Sequence, residues 1–437
     1  MKLKSILLIG LLILSAFPAF SQFSQSGTDF WLCFMQNFKE SKTSNSGSLS
    51  GPSSALTLTL YISSESNARV YISCKSGNYS TSLELEPNKM STIMLPSDLQ
   101  ITTSNEKSDK GIHITSDQKI TVNALSSRLQ TTDGFTVLPV ESTGNEYTAI
   151  SRADNQGLLS ELAIVATEDG TEIKIKSDNI KKASRGINEV IEIQLNKGET
   201  FQLNSDYNKY NLNDLTGTMI SSNKKISVFS GHQCSYVPQE ILACNFLAEQ
   251  LLPKQFAGNT FFVSPLQMRS KYSIKIIGQD ENTILVVNGK DGILLNKGEA
   301  YQNDNLDENL TIKSGKPITV TQFSQGNRSG DNVGDPMMIL IRPENIYQTS
   351  YDINIPNLEN FENFVNVIIP IEGLDNLNVD GKPVKPEKFN EFIDSRMVSF
   401  TLKLLPGCHI IKSTIPFGIS TYGFGKINND YDAYGWM

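Results

Sequence analysis

The sequence predicts an all-β protein made of four tandem Ig-like antiparallel β-sandwich modules of about 100 residues each. Three observations predict it. First, one phrase recurs. Ile114-Thr-Ser-Asp-Gln-Lys-Ile-Thr-Val122 returns as Ile220-Ser-Ser-Asn-Lys-Lys-Ile-Ser-Val228, as Ile312-Lys-Ser-Gly-Lys-Pro-Ile-Thr-Val320 and, in worn form, as Ile411-Lys-Ser-Thr-Ile-Pro-Phe-Gly-Ile419, at offsets of 106, 92 and 99 residues. Second, short runs of alternating apolar and polar residues are divided by turn signals throughout. Third, the junctions keep a constant gap. Pro139 precedes Tyr147 by eight residues, Pro253 precedes Phe261 by eight, and Pro343 precedes Tyr351 by eight. Such regularity describes a fixed elbow between modules, with no Gly/Ser-rich linker between them.

The predicted organisation is a signal peptide over 1–21 and modules over 22–136, 137–250, 251–341 and 342–437. Lys2 and Lys4, the apolar stretch from Ile6 to Phe20 and the small residues Ala19 and Ser21 form the leader, with cleavage near Ser21-Gln22. The apolar stretch is about 15 residues, short of the roughly 20 that a membrane span needs. No second such stretch follows, so the mature chain carries no integral membrane segment. Secretion or display at the cell surface is expected, with the periplasm as the other destination.

Module one offers Leu56-Thr-Leu-Thr-Leu60 and Arg69-Val-Tyr-Ile72 as strands, and the Ser- and Gly-rich stretch from Ser41 to Ser54 reads as a loop. Module two shows the plan most fully. Its strands are Tyr147 to Ser151, Ser160 to Thr167, Thr171 to Lys176, Ile191 to Leu195 and Thr200 to Leu203, then Thr216 to Ile220 and Ile226 to Phe229 as two separate strands. Module three repeats the order, and its Leu295-Asn-Lys-Gly-Glu299 matches Leu195-Asn-Lys-Gly-Glu199 residue for residue. Module four offers Val365 to Ile369 and Leu377 to Val379. One short helix is expected near 245–252, capped by Asn245 and ended by Pro253.

Composition bounds the function. Removing the leader leaves 36 basic against 46 acidic residues, a net charge of −10, which argues against nucleic acid as a partner. The chain holds five Cys. Cys234 and Cys244, ten positions apart, are the expected disulfide, worth roughly 2–3 kcal/mol by loop closure. Cys33 and Cys74 are a candidate second pair, which leaves Cys408 as a thiol.

Catalytic raw material is scarce. There are three His. His113 lies in a strand at a surface or edge position, and His409 sits beside Cys408. His232, in Ser230-Gly-His-Gln-Cys234, could pair with Cys234 as a nucleophile and base, but no orienting acid is evident and Cys234 is better read as oxidised. The acidic turns Glu168 to Glu172, Asp280-Glu281, Asp304 to Glu308 and Asp430 to Asp432 could hold structural calcium, although Asp and Gly also make ordinary tight turns and none has EF-hand spacing. No catalytic residue, no cofactor and no metal-ligand set is assigned. Asp29-Phe30-Trp31 reads first as core filling in the opening strand, with a binding hot spot as the alternative.

Taken together, several pieces resemble the N-terminal domain family of the IgG Fc-binding protein, a family also found in secreted bacterial proteins. They are Gly27-Thr-Asp-Phe-Trp31, Thr132-Asp-Gly134 with Leu138-Pro139, Val165 to Thr171, Asp214-Leu-Thr-Gly-Thr218, Val228-Phe-Ser-Gly-His-Gln-Cys234, Cys244-Asn-Phe-Leu-Ala-Glu-Gln250 and Gly334-Asp-Pro-Met-Met338. The resemblance covers nearly all of 22–437 as one family domain. It marks Asp29, Phe30, Trp31, Asp133, Asp214, Gly231, His232, Glu249, Gln250, Asp335 and Pro336 as motif positions. It implies a non-enzymatic extracellular binding role, with a mucin, matrix or immunoglobulin-like protein or a glycan as partner. Two other readings remain open at this point: a self-associating structural component of the envelope or matrix, and a hydrolase.

Overall fold

The structure, a computed structural model, describes residues 23–38, 55–153, 157–181, 188–205, 214–427 and 430–437. The leader and the Ser-rich stretch of module one lie outside the described residues. Among those described, no helix is long and apolar enough to cross a membrane.

Module one contains β1 (Ser26–Leu32), β2 (Thr57–Ser63), β3 (Ala68–Cys74), β4 (Tyr79–Leu85), β5 (Ser91–Leu95), β7 (Ile112–Arg128) and β8 (Thr131–Val137), while β6 (Glu106–Ser108), between β5 and β7 in the chain, adds to the edge of the second sheet. Module two follows with β9 (Gly144–Thr148), β10 (Ser160–Ala166), β11 (Thr171–Lys181), β12 (Asn188–Leu195), β13 (Thr200–Asn204), β14 (Met219–Tyr236) and β15 (Cys244–Gln250). Module three has β16 (Gly258–Val263), β17 (Tyr272–Gly278), β18 (Thr283–Val287), β19 (Ile293–Leu295), β20 (Ala300–Leu306), β21 (Leu310–Ser324) and β22 (Met338–Ile341). Module four has β23 (Gln348–Ile355), β24 (Phe361–Pro370), β25 (Asn378–Val379), β26 (Lys382–Pro383), β27 (Asn390–Glu391), β28 (Met397–Leu404), β29 (Gly407–Ile427) and β30 (Asp430–Trp436).

The recurring phrase is a corner. In each module one long strand, β7, β14, β21 or β29, serves both layers of a sandwich. Residues 112–116 of β7 lie between β1 and β3, whereas 121–127 lie between β2 and β8. The same change of neighbours occurs in β14, β21 and β29. The phrase spans the bend. Its apolar ends, such as Ile114, Ile120 and Val122, are buried, while Asp117 to Lys119 between them face solvent. The invariant Ser bonds across the bend each time. The Ser222 and Ser314 hydroxyls donate to the carbonyls of Lys224 and Lys316, and the Ser116 and Ser413 hydroxyls accept from the N–H of Gln118 and Ile415. The two strands expected at Thr216 to Ile220 and Ile226 to Phe229 are therefore one continuous strand, because a bent strand that switches layers reads in sequence as two strands with a turn.

The elbows are equally uniform. Pro139, Pro253 and Pro343 each open a single 3-10 turn. Each packs on a glycine of the preceding module's first strand. A Cβ on Gly27, Gly144 or Gly258 would overlap Pro139, Pro253 or Pro343 respectively.

The four modules close into a ring. Their last strands meet at its centre, with β8 against β15 and β30, and β22 against the same two. The seam between modules four and one is sealed by Phe23, which sits in one apolar cluster with Phe256, Ile346 and Met437, and by Gln25, which donates to Asp352 O and accepts from Arg342. Asn354 donates to Tyr61 O, and Tyr61, Leu125, Tyr434 and Trp436 form an apolar cluster across the same seam.

The expected helix at 245–252 is a strand, β15. Both faces of this segment are covered, one by its own sandwich and one by the ring centre, so nearly every residue is buried and apolar periodicity cannot separate helix from strand.

Candidate functional site

Most motif positions lie at the ring centre or its seams. Register places Gly134, Ala248, Met338 and Gly435 at the same point of the four last strands. All four direct their N–H groups at the Asp133 carboxylate. Oδ1 accepts from Gly134 (2.9 Å) and Gly435 (3.1 Å), and Oδ2 accepts from Met338 (3.1 Å) and Ala248 (3.3 Å). Burial pushes this carboxyl well above its usual range, and the four amides pull the other way. Every hydrogen-bond partner is a donor, so the ionised carboxylate is the form the hub accommodates. One side chain thus receives one amide from each module.

Asn245, Glu249 and Gln250 complete the hub. The Asn245 amide donates to Thr132 O and Pro336 O at 2.8 Å each, and its carbonyl accepts from Thr132 N. Glu249 accepts from Leu340 N, and Gln250 from Leu138 N. Asp335 accepts from Asn327 N. Gly231 is required where β14 approaches β15, because a Cβ there would overlap Leu247 O.

Asp214 and His232 belong to the seam between modules two and three. Asp214 pairs with Lys275 at 2.9 Å, and both are buried in this interface; Lys275 also donates to Ser151 O. Burial raises the Asp214 carboxyl, but the Lys275 ammonium and the hydrogen bonds from Thr216 together more than offset it and hold the group below its ordinary value. Arg152 pairs with Asp304 at 3.0 Å beside them. Burial pulls the His232 imidazole down to about 3, so it is neutral, with Nδ1 accepting from Cys234 N. Cys234 is bonded to Cys244 and offers no thiolate to His232. The candidate Cys33–Cys74 bond is not formed, and both are buried thiols. Leu32 and Cys74 pair with Ile112 from opposite sides of β7, which sets the outer strands about 9–10 Å apart, beyond disulfide reach. Cys408 is a partly buried thiol.

Asp29 and Trp31 are different. Phe30 and Trp31 are both buried in the core cluster of module one, and Trp31 also borders a cleft of about 350 Å³ at the seam of modules one and two. His113 stacks on Trp31, with centroids 4.0 Å apart and planes 7° apart, and its Nε2 lies 2.9 Å from Asp29 Oδ1. Lys197 of module two lies over the Trp31 ring at 5.8 Å, and Lys75 and Asp169 also line the cleft. The sequence reading placed Trp31 in the core, where the structure has it, and His113 at a surface or edge position. It missed their meeting because His113 follows Trp31 by more than 80 residues and only strand register joins them. Among the described residues no three His, Cys, Asp or Glu side chains converge as metal ligands.

Comparison with known proteins follows from this geometry. The chain is 23% identical over 377 residues to the human IgGFc-binding protein, covering 83% of this chain and 7% of that protein. The chain therefore corresponds to a small fraction of that relative's length. A crystal structure of a tetra-tandem repeat in the extending region of a large adhesion protein aligns over 85% of this chain and 90% of that one, at 9% identity and a TM-score of 0.09, which carries no argument. The family of the IgGFc binding protein matches residues 133–423, from the hub carboxylate through the corner of module four. The chain belongs to the IgGFc-binding protein family.

Proposed function

We propose that this chain is a secreted, non-enzymatic binding protein of bacterial origin that corresponds to the N-terminal domain of its family and recognises an extracellular protein or glycan. The observation that carries this reading is the family match over 133–423. The matched span contains Asp133 and the Asp214–Lys275 pair, both of which join modules of the ring. A rigid ring with loops at its rim is suited to presenting a surface to a partner. The module boundaries 22–136, 137–250, 251–341 and 342–437 are part of the proposal, as are the roles of the motif residues as ring-building positions. No catalytic, cofactor or calcium role is proposed.

The test is an array of mucins, host glycans, matrix proteins and IgG Fc probed with the purified mature chain. Saturable binding at about micromolar strength or better supports the reading and identifies the partner class. A blank array from demonstrably folded protein contradicts it. Concentration-dependent oligomers in sedimentation would then favour the self-associating structural role.

A further inference from the structure

A fourfold repeat allows a specialised site to be recognised by difference. Register makes Trp31 equivalent to Thr148, Phe262 and Asp352, and makes Asp29 equivalent to Glu146, Thr260 and Ser350. His113 is equivalent to Met219, Thr311 and Ile410 by the same pairings. Only module one joins an acid, an indole and an imidazole at this place. The opposite wall is not special. The turn Asn196-Lys-Gly-Glu199 recurs in module three, where Gly298 packs on Gly217 without any aromatic neighbour. The seam therefore packs without the Asp29, Trp31 and His113 set, and that set needs another explanation.

We propose that this cleft binds one anionic saccharide unit, a hexose-sized ring carrying a carboxylate or a sulfate. The volume of about 350 Å³ lies at the low end of ligand sites and suits one or two sugar rings. Trp31 supplies the flat apolar surface that a sugar's C–H face packs against. His113 stacks on one face of the indole, Gly198 packs against the ring and Lys197 lies over it at 5.8 Å, so that 6% of Trp31 is exposed. Lys197 can turn from the ring to the ligand's anion. Lys75, with 61% of its side chain exposed and Asp109 at 4.0 Å, is the second ammonium on the cleft wall. His113, held by Asp29 through Nε2, lines the cleft beside the indole and can meet a ring hydroxyl. Asp169 accepts the backbone N–H of Lys197 and so holds the turn that carries it. This inference rests on the reading of the chain as an extracellular binder and names one subsite within it.

The experiment titrates the full mature chain with glucuronic acid, galactose 6-sulfate, galactose and inorganic sulfate, read by saturation-transfer NMR and by Trp31 fluorescence. The probes are repeated on K75E/K197E, whose changes lie on exposed side chains, and on W31F. Saturable binding of both acidic sugars but neither galactose nor sulfate is expected. K75E/K197E should weaken it at least about tenfold, the equivalent of roughly 1.4 kcal/mol. W31F should weaken it at a temperature where circular dichroism shows the variant folded, since the change also trims the core of module one. The proposal fails if folded protein binds neither acidic sugar up to about 50 mM, a concentration well above weak lectin-like affinities. It fails equally if galactose or sulfate binds as well, or if K75E/K197E leaves affinity unchanged. A positive array with a silent cleft sinks the subsite and leaves the binding function standing. A blank array with a responsive cleft does the reverse.

Discussion

Replacing Asp133 by Asn keeps the shape of the hub and removes its charge. The carboxylate now accepts four N–H bonds of 2.9–3.3 Å, one from each module. An Asn has one carbonyl oxygen for two of these donors, and its NH2 group would face the other two. Two buried amides would lose their acceptor at about 1–3 kcal/mol each, and the remaining two bonds would lose their charge assistance. The expected loss is about 3–5 kcal/mol, in line with breaking a buried charge from its partners. Against a total stability of about 5–15 kcal/mol this is severe. The assay is urea unfolding followed by far-UV circular dichroism and by hydrogen exchange at the Gly134, Ala248, Met338 and Gly435 amides. All four amides should lose protection together, although their positions span some 300 residues of sequence. Asp133→Gly should behave alike and regain stability with formate, which can place a carboxylate in the vacated centre. A loss below about 1 kcal/mol for Asp133→Asn, within the range of an ordinary neutral hydrogen bond, would refute the reasoning.

Other expectations follow from the seams. His232 is neutral in the folded protein and pulled down to about 3, below its unfolded value of 6.5. The unfolded chain then binds a proton that the folded one refuses, so this contribution to stability is complete above pH 6.5 and is lost as pH falls towards 3. Between pH 7 and pH 5 the native chain should lose about 2 kcal/mol more than His232→Asn, which keeps an acceptor for Cys234 N–H; equal losses in two matched urea series would contradict this. Gly144→Val should cost about 1–3 kcal/mol by forcing Pro253 away from β9, measured by thermal unfolding, whereas the same change at exposed Gly315 should cost less. Replacing Cys234 and Cys244 together by Ala should lower stability by roughly 2–3 kcal/mol, and addition of reductant to the native chain should reproduce most of that loss.

What the sequence disclosed follows the reach of its signals. The corner phrase and the proline elbows are local and repeated, so the order of strands within module two was legible from alternation and turns. The Cys234–Cys244 pair was legible because both residues flank one short loop. The corner itself was not, since a strand that bends between layers carries the same pattern as two strands. β15 was misread as a helix because Phe246, Leu247, Ala248 and Leu251 are all buried, which removes the polar face that would have distinguished the periods. The hub was hidden for a different reason. Asp133 is a single residue in module one, and its partners are backbone groups at Ala248, Met338 and Gly435, which leave no side-chain signature. The cleft was partly visible as Asp29 and Trp31, but His113, Lys75 and Lys197 reach it only through strand register and ring closure.

The central claim is that four sandwich modules close into one ring on the Asp133 carboxylate. Small-angle X-ray scattering of the mature chain tests it most directly. A compact body of 416 residues has a radius of gyration of about 22 Å, and the account predicts a value within a few ångströms of that. Four such modules strung in a row would give about 40 Å, and a value near that figure would contradict the ring.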